Sequence, residues 1–124
     1  MTDQLSFSAQ EQTARSRFRE MMAQAESTED VKKFFYQMVR DLLTDICDDL
    51  PEVNIQDIQL DLERGEGYRL SDSLMEGAGL RELMRDSDLD SILDRLSANA
   101  WNRYHRLEKN TAKTEQKIYP TPGR

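Results

Sequence analysis

Residues 31–50, VKKFFYQMVRDLLTDICDDL, place apolar side chains at Val31, Phe34, Phe35, Met38, Val39, Leu42, Leu43, Ile46 and Leu50. Those intervals of three and four match a period of 3.6 residues, so the stretch reads as a helix with one wide apolar face over about five turns. Ser27 or Thr28 supplies a hydroxyl cap at its start. Glu29 and Asp30 lie where the positive end of the helix dipole favours carboxylates. Pro51 is the expected stop. A face this broad needs partners on more than one side, so this is the central helix around which the other elements must pack.

Upstream, Ser8 and Glu11 have the spacing of a capping box, and Ala14, Phe18, Met21, Met22 and Ala25 continue as a narrower helical stripe. Downstream the period changes to two. Ile58, Leu60 and Leu62 alternate with Gln59, Asp61 and Glu63, then Arg64-Gly65-Glu66-Gly67 reads as a turn and Tyr68-Arg69-Leu70 as a returning strand. A two-stranded hairpin is marginal alone, so it must lie on a helix or pair with another chain. Ser73 and Glu76 suggest a further cap, but Gly77 and Gly79 weaken the short helix expected over residues 71–85. Ser87 and Asp90 open a last helix carrying Leu89, Ile92, Leu93, Leu96, Ala100, Tyr104 and Leu107.

The expected fold is therefore α+β and mostly α-helical, with four helices in the order helix, helix, hairpin, short helix, long helix. At 124 residues the chain has the length of one domain. Residues 1–7 read as a flexible lead, 8–109 as the domain with its hairpin at about 53–70, and 110–124 as a flexible basic tail, because apolar partner positions run out after Leu107.

The formal net charge is −7, from 17 basic and 24 acidic residues. This disfavours nucleic acid and anionic membranes as default partners. The charge is uneven, with +4 from Trp101 onward against −11 before it. One cysteine, Cys47, allows no intramolecular disulfide, and no apolar run suits a signal peptide or a membrane span. A reducing, cytoplasmic setting is the expected home.

Four groupings merit a chemical reading. Asp41, Asp45, Asp48 and Glu52 fall at offsets that would make one acidic stripe on a continuous helix. Such a stripe is most often a solvated face, next a docking site for a basic partner, and least often a metal site, since it has no histidine or facing acidic helix. Asp86, Asp88 and Asp90 imitate the start of a calcium loop, but Ser91 and Ser97 stand where glycine and glutamate are required. The glycine pairs Gly65/Gly67 and Gly77/Gly79 lack the rest of a phosphate-binding fingerprint and read as a turn and a flexible joint or hinge. Trp101, Arg103, Tyr104 and Arg106 mix aromatic and basic groups. Intramolecular packing is the first reading, a protein-interface anchor the second and RNA stacking the third.

Cys47 lies among Asp45, Asp48 and Asp49, whose negative charge opposes thiolate formation, and the single His105 has no base-and-nucleophile arrangement around it. The expectation is a non-catalytic protein with no cofactor and no metal. It acts as a small acidic protein-binding module (an adaptor, regulator, inhibitor or immunity-type protein, or client chaperone) through Asp41, Asp45, Asp48, Glu52, Trp101, Arg103, Tyr104 and Arg106. Its expected partner is another protein, a basic one in the case of the acidic stripe. The alternative is a structural homo-oligomer, a homodimer or a subunit of a larger complex. A carboxylate-based metal protein or enzyme ranks third.

Overall fold

The structure is a computed structural model that describes residues 6–47, 50 and 52–118. Helix α1 spans Ser8–Gln24 and α2 spans Thr28–Ile46. A 3-10 turn at Ile55–Asp57 leads into β1, Ile58–Leu60, which pairs antiparallel with β2, Tyr68–Leu70. Helix α3, Asp72–Glu76, passes through a 3-10 turn at Gly77–Gly79 into α4, Leu80–Asp86, and α5 runs from Leu89 to Ile118. Among the described residues the fold is thus mostly helical with one small sheet, as the periodicities require.

The apolar face of α2 is the centre. Val31, Phe35, Met38, Val39, Leu42 and Leu43 are all buried. Against them pack Phe18 and Met22 of α1, Ile58 and Leu60 of β1, and the Leu89-to-Leu107 stripe of α5. Burying an aliphatic or aromatic side chain is worth roughly 1.5–3 kcal/mol, so this shared surface supplies most of the drive to fold. The start of α2 is capped as its sequence predicts. The Ser27 hydroxyl accepts from Asp30 N–H at 3.1 Å, and the Asp30 carboxylate accepts from Glu26 N–H at 3.0 Å.

Four local expectations are corrected. First, α2 stops at Ile46 rather than running to Leu50. Cys47 turns extended, and its N–H closes on the Leu43 carbonyl at 2.7 Å. No basic residue lies in the last turn, and Asp45 with the acids that follow opposes the negative end of the dipole. The returning chain is then pinned by the Tyr36 hydroxyl, which donates to the Val53 carbonyl at 2.7 Å.

Second, Leu62 is not a strand residue. The ladder ends at Leu60, and residues 62–67 form the turn, with Gly65 and Gly67 at φ +72° and +75°. These left-handed positions suit glycine, which has no Cβ to clash.

Third, the glycine-containing segment is two helices rather than one, so the described chain has five helices in place of four. Ser71, not Ser73, caps the first, accepting from Leu74 N–H at 3.1 Å. Gly79 at φ +66° redirects the chain into the second.

Fourth, α5 continues to Ile118, past the expected limit at Lys109. Between Leu107 and Pro120 there is neither glycine nor proline, and Lys, Glu, Gln and Ala, all good helix formers, fill seven of its twelve positions.

The box expected at Ser8 and Glu11 is also replaced. Phe7 precedes α1 without a side-chain cap, and Glu11 turns inward to meet α5. The Arg95 guanidinium donates to both Glu11 carboxylate oxygens, at 2.6 and 2.8 Å. This fork tethers α1 to α5 and holds the Glu11 carboxyl below its ordinary pKa, chiefly through the hydrogen bonds from Arg95. At the start of α5, Ser87 accepts from Leu89 N–H at 3.1 Å, while Asp90 takes the hydroxyl of Tyr68 instead of capping. No described helix is long and apolar enough to cross a membrane.

Candidate functional site

The acidic residues singled out from sequence do not form one stripe. Asp41 sits on α2 within 3.6 Å of Arg17 from α1 and 3.5 Å of Arg40, so its charge is locally answered. Asp45 is exposed one turn on, and Glu52 is exposed beyond the end of the helix, out of its register. Asp48 lies outside the described residues. The stripe fails because it presumes a continuous helix through residue 52.

The aromatic and basic set is mostly internal. Trp101 is 6% exposed, and its indole N–H donates to the Gly67 carbonyl at 2.9 Å, fastening the hairpin turn to α5. Tyr104 is half-buried with its ring 4.8 Å from Trp101, and His105 stacks on the indole at 5.1 Å. Arg103 donates to the Ala25 carbonyl at 2.8 Å, answering a backbone acceptor at the end of α1. Its Nε is buried without a hydrogen-bond partner. Of this set, Arg106 alone is well exposed.

The aspartates of the calcium-loop resemblance have diverged to separate tasks. Asp86 pairs with Arg85, Asp88 accepts from Phe7 N–H at 2.9 Å, and Asp90 accepts from Tyr68. Burial, helped by Asp90, pushes the Tyr68 phenol far above its usual value, which keeps it a hydrogen-bond donor. Among the described residues no group of three or more His, Cys, Asp or Glu is placed to hold a metal ion.

Two surfaces stand out: the hairpin edge, which the sequence reading offered for pairing with another chain, and a cleft it did not foresee. The first is the outer edge of β1. Ser71 N–H donates to the Asp57 carbonyl at 3.0 Å and Asp61 N–H to the Gly67 carbonyl at 3.1 Å. With Ile58 opposite Leu70 and Leu60 opposite Tyr68, the alternation of an antiparallel ladder makes 57–71, 59–69 and 61–67 the hydrogen-bonded pairs. The Leu60 N–H and C=O, together with the Ile58 C=O, therefore point away from β2, although the two residues are only 3% and 1% exposed. Ile55 and Leu62, 49% and 52% exposed, flank this edge. With Ile58, Gln59, Leu60 and the Glu29–Lys32 turn of α2 they line a concavity of about 240 Å³.

The second surface is a cleft between α1 and α5, made of two adjoining concavities of about 390 and 370 Å³ that share Arg19, Asn99 and Asn102. The spacing of Arg95, Asn99, Asn102 and Arg106 by four, three and four residues is the signal that was present in the sequence. Which residues of α1 would face them was not.

Compared with family models, curated proteins and solved structures, the chain matches none, so its function is read from its own surface.

Proposed function

We propose that this chain is a non-catalytic protein-binding module that captures an extended segment of another protein by strand addition at the edge of β1. The observation that carries this reading is the juxtaposition of outward-facing backbone groups at Ile58 and Leu60 with the exposed side chains of Ile55 and Leu62. An added strand would answer the backbone groups, and its alternate side chains would cover the two apolar flanks. Capture requires Ile55 and Leu62, about half exposed, to give way enough to uncover the backbone groups of Ile58 and Leu60 beneath them.

The chemistry of the captured segment follows from the charges around the edge. Asp57 and Asp61 bracket the strand, while Glu63 and Glu66 in the turn are answered by Arg69 and Arg64. A segment with alternating apolar residues and lysine or arginine at its flanks is complementary. Self-pairing is not favoured. Two copies joined antiparallel about Gln59 would set Asp57 of one opposite Asp61 of the other, and directly opposed like charges destabilise a ladder.

Selection of a random peptide library on the immobilised protein tests the proposal. Recovered peptides should share alternating apolar residues with basic flanks, shift the Leu60 amide resonance on binding, and lose affinity by about tenfold or more, a 1.4 kcal/mol change, against Ile55→Ser/Leu62→Ser. Peptides that map elsewhere, or that bind the double variant unchanged, would refute it.

A further inference from the structure

In a chain with seven more carboxylates than cations, most exposed basic side chains should find an acidic neighbour. Many do, including Arg17, Lys32, Arg40, Arg64, Arg69 and Arg85. Lys33, Arg81 and Lys109 are exposed without an ion pair among the described residues, and the cleft between α1 and α5 gathers three more such side chains. Arg15 and Arg19 project from α1 and Arg106 from α5 into it, all three exposed and none in an ion pair among the described residues. Asn99 and Asn102 sit between them. Arg95 closes one end, already engaged by Glu11.

From this we infer that the cleft between α1 and α5 docks an acidic amphipathic helix of a protein partner, as a binding surface separate from the β1 edge and not dependent on it. Three features select that occupant. Arginine forks on both sides, with asparagine amides from α5, match carboxylates in geometry as well as sign. The exposed Ala23 and Ala98, small side chains that line the cleft above the buried Met22 and Leu96, let a helix approach closely. From residue 95 to 106 of α5 the cleft extends about 16 Å at 1.5 Å per residue, roughly three turns of a docked helix. The stripe has an extension in the sequence, since Lys109, Lys113 and Lys117 follow Arg106 at intervals of three, four and four.

Nucleic acid fits less well. Trp101 and Tyr104 are committed to internal packing, which leaves the cleft without a stacking platform, and the acidic remainder repels a long polyanion.

The experiment uses the full chain and a fluorescein-labelled stapled helical peptide of about three turns, with glutamates flanking an alanine and leucine strip. Anisotropy titration at low salt should give saturable binding that weakens as salt rises. Arg15→Gln/Arg19→Gln/Arg106→Gln should weaken it by about tenfold or more, while Arg64→Gln/Arg69→Gln/Arg81→Gln, with the same change in net charge elsewhere, should weaken it less than about twofold. The Asn99 and Asn102 side-chain amide resonances should shift on binding, and the melting temperatures of both variants should match the parent because every substituted arginine is exposed.

Equal loss in the two variants, absence of binding, or unmoved Asn99 and Asn102 resonances would overturn the inference. A uridine oligonucleotide that displaces the peptide at lower concentration would overturn it in favour of nucleic acid. Dimerisation without peptide, abolished by the cleft variant, would overturn it in favour of a second copy. Each outcome is independent of whether Ile55→Ser/Leu62→Ser alters strand capture.

Discussion

Trp101 and the Ile55/Leu62 pair present large apolar surface in opposite ways. Trp101 stands in a run of aromatic and basic residues that read first as internal packing and second as an interface anchor, and it is 6% exposed and bonded to the hairpin turn. Leu62 continues the alternation of a half-buried strand and Ile55 stands in a polar, acidic stretch, yet about half of each lies in solvent beside the outer edge of β1. The lesson is that residue type indicates what a side chain is able to do at an interface, while the packing around it decides whether the outside world can reach it. An exposed isoleucine or leucine alone means little; two of them flanking outward-facing backbone groups are a specific arrangement.

The sharpest way to break this contrast is to truncate the internal anchor. Trp101→Ala should lower stability by about 3–5 kcal/mol, measured by urea denaturation, because it removes a buried indole and one of the two donors to the Gly67 carbonyl, leaving Asp61 N–H. Trp101→Phe separates the two contributions and should retain most of the packing while losing about 1 kcal/mol for the hydrogen bond. A near-neutral Trp101→Ala would place the indole outside the core and restore the interface reading.

A middle-sized effect is expected at the ion pair that fixes α1 against α5. Glu11→Gln should cost about 1–2 kcal/mol at neutral pH, a figure held down because Arg95 is half exposed. The sign of its pH dependence is set by the depressed carboxyl. Glu11 binds a proton less readily folded than unfolded, so its contribution is complete above the ordinary carboxylate range near pH 4.3 and falls away as pH drops through the folded value. Melting curves for parent and variant should therefore converge in acid. A gap that stays constant from neutral pH into acid would show that packing, not charge, joins the two helices there.

The smallest change should come from the outer pair. Ile55→Ser/Leu62→Ser should alter stability by no more than about 0.5 kcal/mol by the same denaturation assay, since neither side chain is well buried. That indifference, beside the loss of peptide capture, is what distinguishes a binding edge from a structural one. A large loss of stability would instead tie Ile55 and Leu62 to the core.

Much of the fold was legible because α1, α2 and α5 carry their burial pattern in their own spacing. Phe18 and Met22, Phe35 and Val39, and Leu89, Ile92 and Leu96 recur at helical intervals, and each set is buried. The Ser27 cap and the alternation of Ile58 with Leu60 were equally local. The errors arose where a local signal met a competing demand. Glu11 has capping geometry but a stronger partner in Arg95, eighty-four positions away. Leu62 continues the strand alternation but follows the point where the turn leaves the sheet. Asp48 and Glu52 extend the spacing of Asp41 and Asp45 only if α2 does not end at Ile46. The candidate site suffered most, because Arg15 and Arg19 meet Asn99 and Arg106 only after α1 has docked on α5.

By itself, then, the sequence determined which segments become helix or strand and which face of each is apolar, since those properties depend on near neighbours along the chain. The tertiary structure alone decided which polar groups would be consumed in joining those segments and which would be left facing solvent. That choice sent Trp101 and Arg103 inward and left the β1 edge and the arginine cleft outside. It follows from distances between residues far apart in sequence, where each hydrogen bond and each desolvated surface is settled by what the rest of the fold brings near it.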